Sequence, residues 1–600
     1  MNLSTLSGLK RFVWCSRGMY SHVNARRMGS DNMKPLILSV VAAFAAFSAE
    51  ADPLVPLIDE YEAYTIEAAK PDLNMLRKKH LDEMAHTTRE LFGKIKTIET
   101  DRTTDKAIML RLLNANLVAI ENDLNRVPFN GDWGFQAAPV FMALKTKLNN
   151  RGEADAYTES LYSVPSQFSE NISNMRRGVE TGWVSHADPL NTVIEQIQEQ
   201  ITSDPDESDL FKPYLTLPAD MDPKTVAEIQ QEGRGAVLRT ILAYEDVLRF
   251  LETEYRLSVR EAPGLVGLPG GREVYLAQLE EHTAGAGYDP ETIHQLGQSE
   301  VLRIRDEMNL ILEELKFEGD IAAFIAFLKT EPRFYAESEE ALLLEADILA
   351  EQLREILPAY FGRLPELDFE VAPVPDAIAA GYTSARYVQG DRQREQMGRF
   401  LVNTYALDQR PLYELPALAA HEAVPGHHLQ IALAQEMENV PWFRRGYYAT
   451  AFGEGWALYA ESIAGEAGIY ETPYERFGAL SMEMWRACRL VADTGLHWYG
   501  WSREEAEACF RENTALSELN IRNEVTRYIG WPGQATAYKV GELKIKALRA
   551  RAEAELGGAF DIRAFHDTVL REGAVPLDVL EHNIEAWLVT ERAKTAPVAP

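Results

Sequence analysis

Apolar residues recur at three- and four-residue spacing through most of this chain, and that period favours helices over any sheet-based architecture. "AIMLRLLNANLVAIENDLNRV", residues 107–127, typifies the region from about Pro53 to Gln200. A breaker-rich stretch, "SDPDESDLFKPYLTLPADMDPK" (203–224), interrupts the pattern before helix resumes through "TVAEIQQEGRGAVLRTILAYEDVLRFL". After a second loop cluster ending at Gly271, "YDPETIHQLG" sets Asp289 at an N-cap and Pro290 at the first helical position. The texture changes between Leu364 and Thr404, where β-favouring residues alternate with breakers and a small sheet is expected. Helical patterns then return through "TAFGEGWALYAESIAG", "YERFGALSMEMWRACRLVADTGLHWY" and "QATAYKVGELKIKALRARAEAEL". The reading is a mainly α fold, with a helical scaffold lobe over 52–363, a second region over 364–593 that carries the motifs read below, and a polar tail over 594–600. The first two can form one continuous domain.

Residues 1–51 read as an address. Arg26, Arg27 and Lys34 precede the apolar run Leu36 to Phe47, and Ala49-Glu50-Ala51 has the small-x-small form of a signal-peptidase site. Either Met1 or Met33 can serve as the start. Export to the periplasm or the medium is expected, with no stable membrane anchor after cleavage. Removal of the leader would take the formal net charge from −32 to −36. Such an excess of acid argues against nucleic acid as a partner, since that binding needs clustered Lys and Arg. Of three cysteines, Cys15 would leave with the leader, and Cys488 and Cys509 would remain as a possible pair.

"HEAVPGHHLQ", residues 421–430, departs from the H-E-x-x-H zinc motif because the fourth position is Pro425. In a straight helix His427 would point roughly 120° away from His421, and His428 would align but lie about 10 Å along the axis. Pro425 and Gly426 forbid a straight helix, since proline lacks the N–H and clashes with the carbonyl one turn back. A break that inserts two residues would return His427 to the face of His421, whereas His428 would need three, so His427 is favoured as ligand and His428 as its neighbour. Downstream, Glu454 and Glu461 in "GEGWALYAE" stand seven apart on one helical face, and either can point inward, with Glu454 favoured. Two imidazoles and a carboxylate with an open position suit a single catalytic Zn²⁺. Glu422 is then free to act as general base.

At these residues the chain resembles the family catalogued as domain of unknown function 885, which carries H-E-x-x-P-G-H-H and, later, E-G-W-A-L-Y-x-E. Similar segments are "GLPGGREVYLAQLEEHT", "FLVNT", "DTGLHWYGWSREEA" and "RYIGWPGQATAY". The run "GDRQREQMGRF" departs from the family's proline-containing pattern. The resemblance implies a zincin-like metallohydrolase, distantly similar to Taq carboxypeptidase and to the thimet oligopeptidase and angiotensin-converting enzyme groups, with a helical two-lobed fold around a deep channel. It further implies hydrolysis of short or unfolded peptides by a zinc-activated water. Tyr538 and Tyr528 are candidates for stabilising the oxyanion, Arg527 and Lys539 for holding a substrate carboxylate, and Asp493 with His497 for an orienting role. Two other readings use the same residues: a zinc hydrolase of a non-peptide amide or ester, and a non-catalytic metal-containing binding protein. Serine and nucleotide chemistry find no matching motif.

Overall fold

The structure, a computed structural model, describes residues 52–68, 77–375, 379, 382–394 and 396–595. The leader features at Arg26, Arg27, Lys34 and 36–51 lie outside the described residues. The chain divides into two compact units. The first takes the described residues up to 128 with 133–177 and 194–254, and the second takes 129–132, 178–193 and the chain from 255 onward. Helix Glu339–Tyr360 and the sheet that follows it belong to one unit.

In the first unit the apolar period decides which faces meet. Helix α1 (Lys78–Thr97) buries Leu81, Ala85, Leu91 and Ile95, and α2 (Thr103–Glu121) buries Ile108, Leu113, Leu117 and Ile120. Leu81 and Ala85 pack with Leu117 and Ile120 in a small cluster. A third long helix, α3 (Pro223–Thr253), begins where Asp222 accepts the Thr225 N–H at 3.0 Å, a cap that the preceding loop supplies.

The second unit holds every residue singled out in the motifs. Helix α4 (Pro290–Leu315) starts as its sequence dictates, with the Asp289 carboxylate accepting the Thr292 N–H at 2.8 Å. The sheet comprises β1 (Phe369–Pro373), β2 (Ala385–Val388) and β3 (Gly398–Val402) in the order β1-β3-β2, with β1 parallel and β2 antiparallel to β3. Strand β2 is therefore an edge. The helices that matter next are α5 (Leu415–Glu422), α6 (His427–Gln435), α7 (Thr450–Glu466), α8 (Pro473–Thr494), α9 (Arg503–Asn513), α10 (Glu518–Gly530) and α11 (Ala537–Leu556). Cys488 on α8 and Cys509 on α9 form a disulfide. Among the described residues no helix is long and apolar enough to cross a membrane.

Candidate metal centre

Helix α5 ends at Glu422 and α6 begins at His427, so the two histidines flank a break rather than share one helix. Inside the break the His428 N–H reaches back to the Ala423 carbonyl at 3.0 Å. A Cβ at Gly426 would stand 1.9 Å from the His421 carbonyl oxygen, which explains why only glycine fits there. The Pro425 carbonyl accepts the Trp456 indole N–H at 2.8 Å, and this bond ties the break to α7.

Glycine also sets where α7 lies. A Cβ at Gly541 would be 1.8 Å from the Ala451 carbonyl oxygen, and one at Gly455 would be 2.4 Å from the Gly541 backbone, so α7 and α11 touch backbone to backbone. Close packing at that point presents Glu454 to both histidines. Its Oε2 is 3.7 Å from His421 Nε2 and 3.5 Å from His427 Nε2. One ligand atom from each of the three residues lies within 4.8 Å of the others. Among the described residues no fourth His, Cys, Asp or Glu joins them.

Those separations discriminate between chemistries. They exceed the 2.7–3.2 Å of an ordinary hydrogen bond. Ligand atoms about 2.1 Å from a shared tetrahedral ion stand about 3.4 Å apart, which fits both distances. The donor set, two imidazoles and a carboxylate, fits Zn²⁺ as well.

Behind this cluster, Glu461 accepts a hydrogen bond from His421 Nδ1 at 2.8 Å. That bond leaves Nε2 as the free ligand atom, the usual arrangement behind a metal-binding histidine. Burial disfavours a charge on His421, but the carboxylates of Glu454 and Glu461 outweigh it and lift the group to about 9. Arg486, itself buried, lies 4.0 Å from the same Glu461 oxygen. His428 turns away. Its Nδ1 meets the Tyr387 hydroxyl at 3.0 Å, its ring packs on Phe369, and burial lowers it to about 4, so it stays neutral.

Glu422 is partly exposed, and its Oε2 accepts the backbone N–H of Tyr387 on β2 at 2.7 Å. The edge strand thus aims this carboxylate while leaving its second oxygen unconstrained by that bond. Tyr448, which sequence reasoning missed, donates to Glu454 Oε1 at 3.2 Å and so turns Oε2 towards the histidines. Its only sequence signal is indirect: Gly453 is bare because a Cβ there would lie 2.3 Å from the Tyr448 ring.

The late-helix candidates separate. Tyr528 is 1% exposed and its hydroxyl donates to Glu524 at 2.6 Å while accepting from Arg489 at 3.0 Å, so it is a core group committed to that network. Tyr538 is partly exposed, with the Arg489 guanidinium 4.2 Å from its ring centre and Arg527 donating to its hydroxyl at 3.4 Å. Tyr538 and Tyr448 lie close enough for ionisation of one to oppose ionisation of the other. Lys539 is fully buried and bound to Glu300, Glu483 and Glu542 at 2.9, 2.6 and 2.7 Å. It has no capacity left for a substrate carboxylate. Arg527 is similarly paired with Asp132 at 3.1 Å. Asp493 and His497 do not bond each other. Asp493 accepts from the Tyr275 hydroxyl at 2.7 Å and from the Gly533 N–H, and His497 links Leu265 N–H to the Tyr528 carbonyl. Together they brace the turn that leads into α11.

A family model described as "Bacterial protein of unknown function (DUF885)" matches residues 63–584. No curated protein matches the chain. A solved structure titled as the "putative lipoprotein" from Colwellia psychrerythraea is 28% identical, with 86% of this chain and 92% of that chain covered and a TM-score of 0.80. A "putative lipoprotein of unknown function" from Shewanella oneidensis is 15% identical over 88% of this chain and 98% of that chain, with a TM-score of 0.67, a likeness that concerns the fold alone.

Proposed function

We propose that this chain, which belongs to the bacterial family of unknown function DUF885, is a zinc-dependent hydrolase of the zincin type that cleaves short or unfolded peptides. The observation that carries this reading is the placement of Glu454 Oε2 at 3.5 and 3.7 Å from two imidazole Nε2 atoms, longer than an ordinary hydrogen bond and close to the spacing of two ligands on a shared ion. His421, His427 and Glu454 would hold the metal. When bound there, zinc supplies Lewis acidity that polarises a scissile carbonyl and makes water nucleophilic at neutral pH.

The remaining steps belong to side chains. Glu422, held by the Tyr387 N–H and outside the ligand cluster, takes a proton from the attacking water and returns it to the leaving amine. Tyr538 is the donor for the developing oxyanion, since the hydroxyl of Tyr528 is committed to Glu524. Glu461 holds the proton on His421 Nδ1. Retention of a partly exposed Glu422 beside three ligands favours catalysis over mere metal storage, because a structural site closes its fourth position with protein. Export accords with the apolar leader and with the lipoprotein description of the Colwellia psychrerythraea structure.

Elemental analysis tests the metal. About one zinc per chain is expected, with sharp loss in His421→Ala, His427→Ala and Glu454→Ala and retention in His428→Ala. Full zinc in the first three variants contradicts the ligand assignment.

A further inference from the structure

Acidic residues outnumber basic ones by 92 to 60 in this chain, and the guanidiniums around the centre are mostly neutralised. Arg527 pairs with Asp132, and Arg489 with Glu524 at 2.9 Å. Two arginines break the pattern. Arg386 on β2 is exposed and Arg399 on β3 is half-buried, and among the described residues neither side chain makes an ion pair or a hydrogen bond. Arg386 lies over the Tyr382 ring, 5.6 Å from its centre.

Strand geometry puts this pair beside the base. Arg386 immediately precedes Tyr387, whose N–H holds Glu422. Side chains alternate along a strand, so with Tyr387 turned inward to His428, Arg386 faces the other way. The register sets Arg386 opposite Leu401 and Val388 opposite Arg399, which brings both guanidiniums to one face. Their fields converge with that of Glu422 on Tyr382: burial raises the phenol, Glu422 adds to the rise, and both arginines oppose it. The field of Arg386 also reaches Asp132, the partner of Arg527. An arginine on an edge strand can serve only to block sheet extension. That role does not account for Arg399, which sits on the central strand.

We propose that Arg386, with Arg399 beside it, receives a carboxylate of the substrate, so that the centre selects peptides presenting an anionic group next to the scissile bond. A free C-terminus and an acidic side chain supply the same chemistry. The inference rests on the hydrolase reading and adds the substrate class to it.

The test uses the zinc-loaded full chain on a random hexapeptide mixture made in three forms: free acids without Asp or Glu, C-terminal amides without Asp or Glu, and C-terminal amides containing Glu. Loss of intact peptide is read by mass spectrometry. Charge-assisted hydrogen bonds to a guanidinium predict at least about tenfold faster loss of the free acids than of the neutral amides. In Arg386→Gln that ratio should fall towards one, chiefly through KM, with zinc content unchanged, and Arg386→Lys should restore part of it. Matching rates for the free acids and the Glu-containing amides would support the carboxylate and assign it also to a side chain. Equal rates on all three forms would overturn the inference and leave the hydrolase reading standing. A ratio untouched by both Arg386→Gln and Arg399→Gln would overturn the assignment to these residues, and no cleavage of any form would overturn both readings.

Discussion

Replacing Glu461 measures how far the carboxylate behind His421 tunes a metal site. Its Oε1 is 2.8 Å from His421 Nδ1, and the residue is 5% exposed, so solvent does little to screen the bond. Glu461→Gln keeps an acceptor oxygen in place and removes the negative charge, whereas Glu461→Ala removes both. Loss of such a partner typically costs about 10- to 100-fold in metal affinity, or about 1.4–2.7 kcal/mol. The amide belongs near the lower figure and alanine near the upper. Competition for zinc against a chromophoric chelator at neutral pH reads these differences directly. Glu454→Ala, which deletes a proposed ligand, should lose more than either. Equal zinc affinity in wild type and both Glu461 variants would refute the reasoning. A larger loss in Glu461→Ala than in Glu454→Ala would move the ligand role to Glu461.

Two further outcomes follow from buried groups. Burial raises Asp493 from 3.8 to about 7, so its folded form holds a proton that the unfolded chain gives up. The stabilisation is fully present below about pH 3.8 and is lost as pH rises through about 7; between pH 5 and pH 8 it falls by roughly 3 kcal/mol. Asp493→Asn, which keeps an acceptor for Tyr275, should show a weaker fall of unfolding free energy over that range, and an identical fall would contradict the assignment. Cys488 and Cys509 close a loop with a separation of 21 residues, worth about 3 kcal/mol in the chain-entropy model. Denatured, unreduced mature protein should take up no thiol label, and Cys509→Ala should lower the denaturation midpoint.

What could be read from the sequence was local. Asp289 and Pro290 announce a helix start because a cap and a fixed φ act within one turn. The break at Pro425-Gly426 is legible for the same reason, and counting inserted residues favours His427 over His428. The preference for Glu454 over Glu461 has weaker local support, since both lie on one face of α7 and the outcome depends on where α11 presses Gly541 against it. Tyr448 and Arg486 belong to no motif: Tyr448 lies just before α7 and reaches forward to Glu454, and Arg486 meets Glu461 from another helix, α8. Tyr528 and Lys539 looked free for the converse reason: Glu524 is close in sequence but Arg489, Glu300 and Glu483 arrive from other helices. Periodicity reports which face is buried and is silent on which polar groups meet there.

Glu422→Gln is the most direct test of the central claim. The change leaves His421, His427 and Glu454 intact and keeps an acceptor oxygen for the Tyr387 N–H, but the amide cannot take a proton from water. Loss of proton transfer is typically worth about 10²- to 10⁴-fold in rate, or roughly 3–5 kcal/mol of barrier. Wild type and variant, loaded with equal zinc, are assayed on the same peptide mixture. Retained zinc with turnover reduced by at least about a hundredfold is the predicted result. Equal turnover at equal zinc would contradict the account.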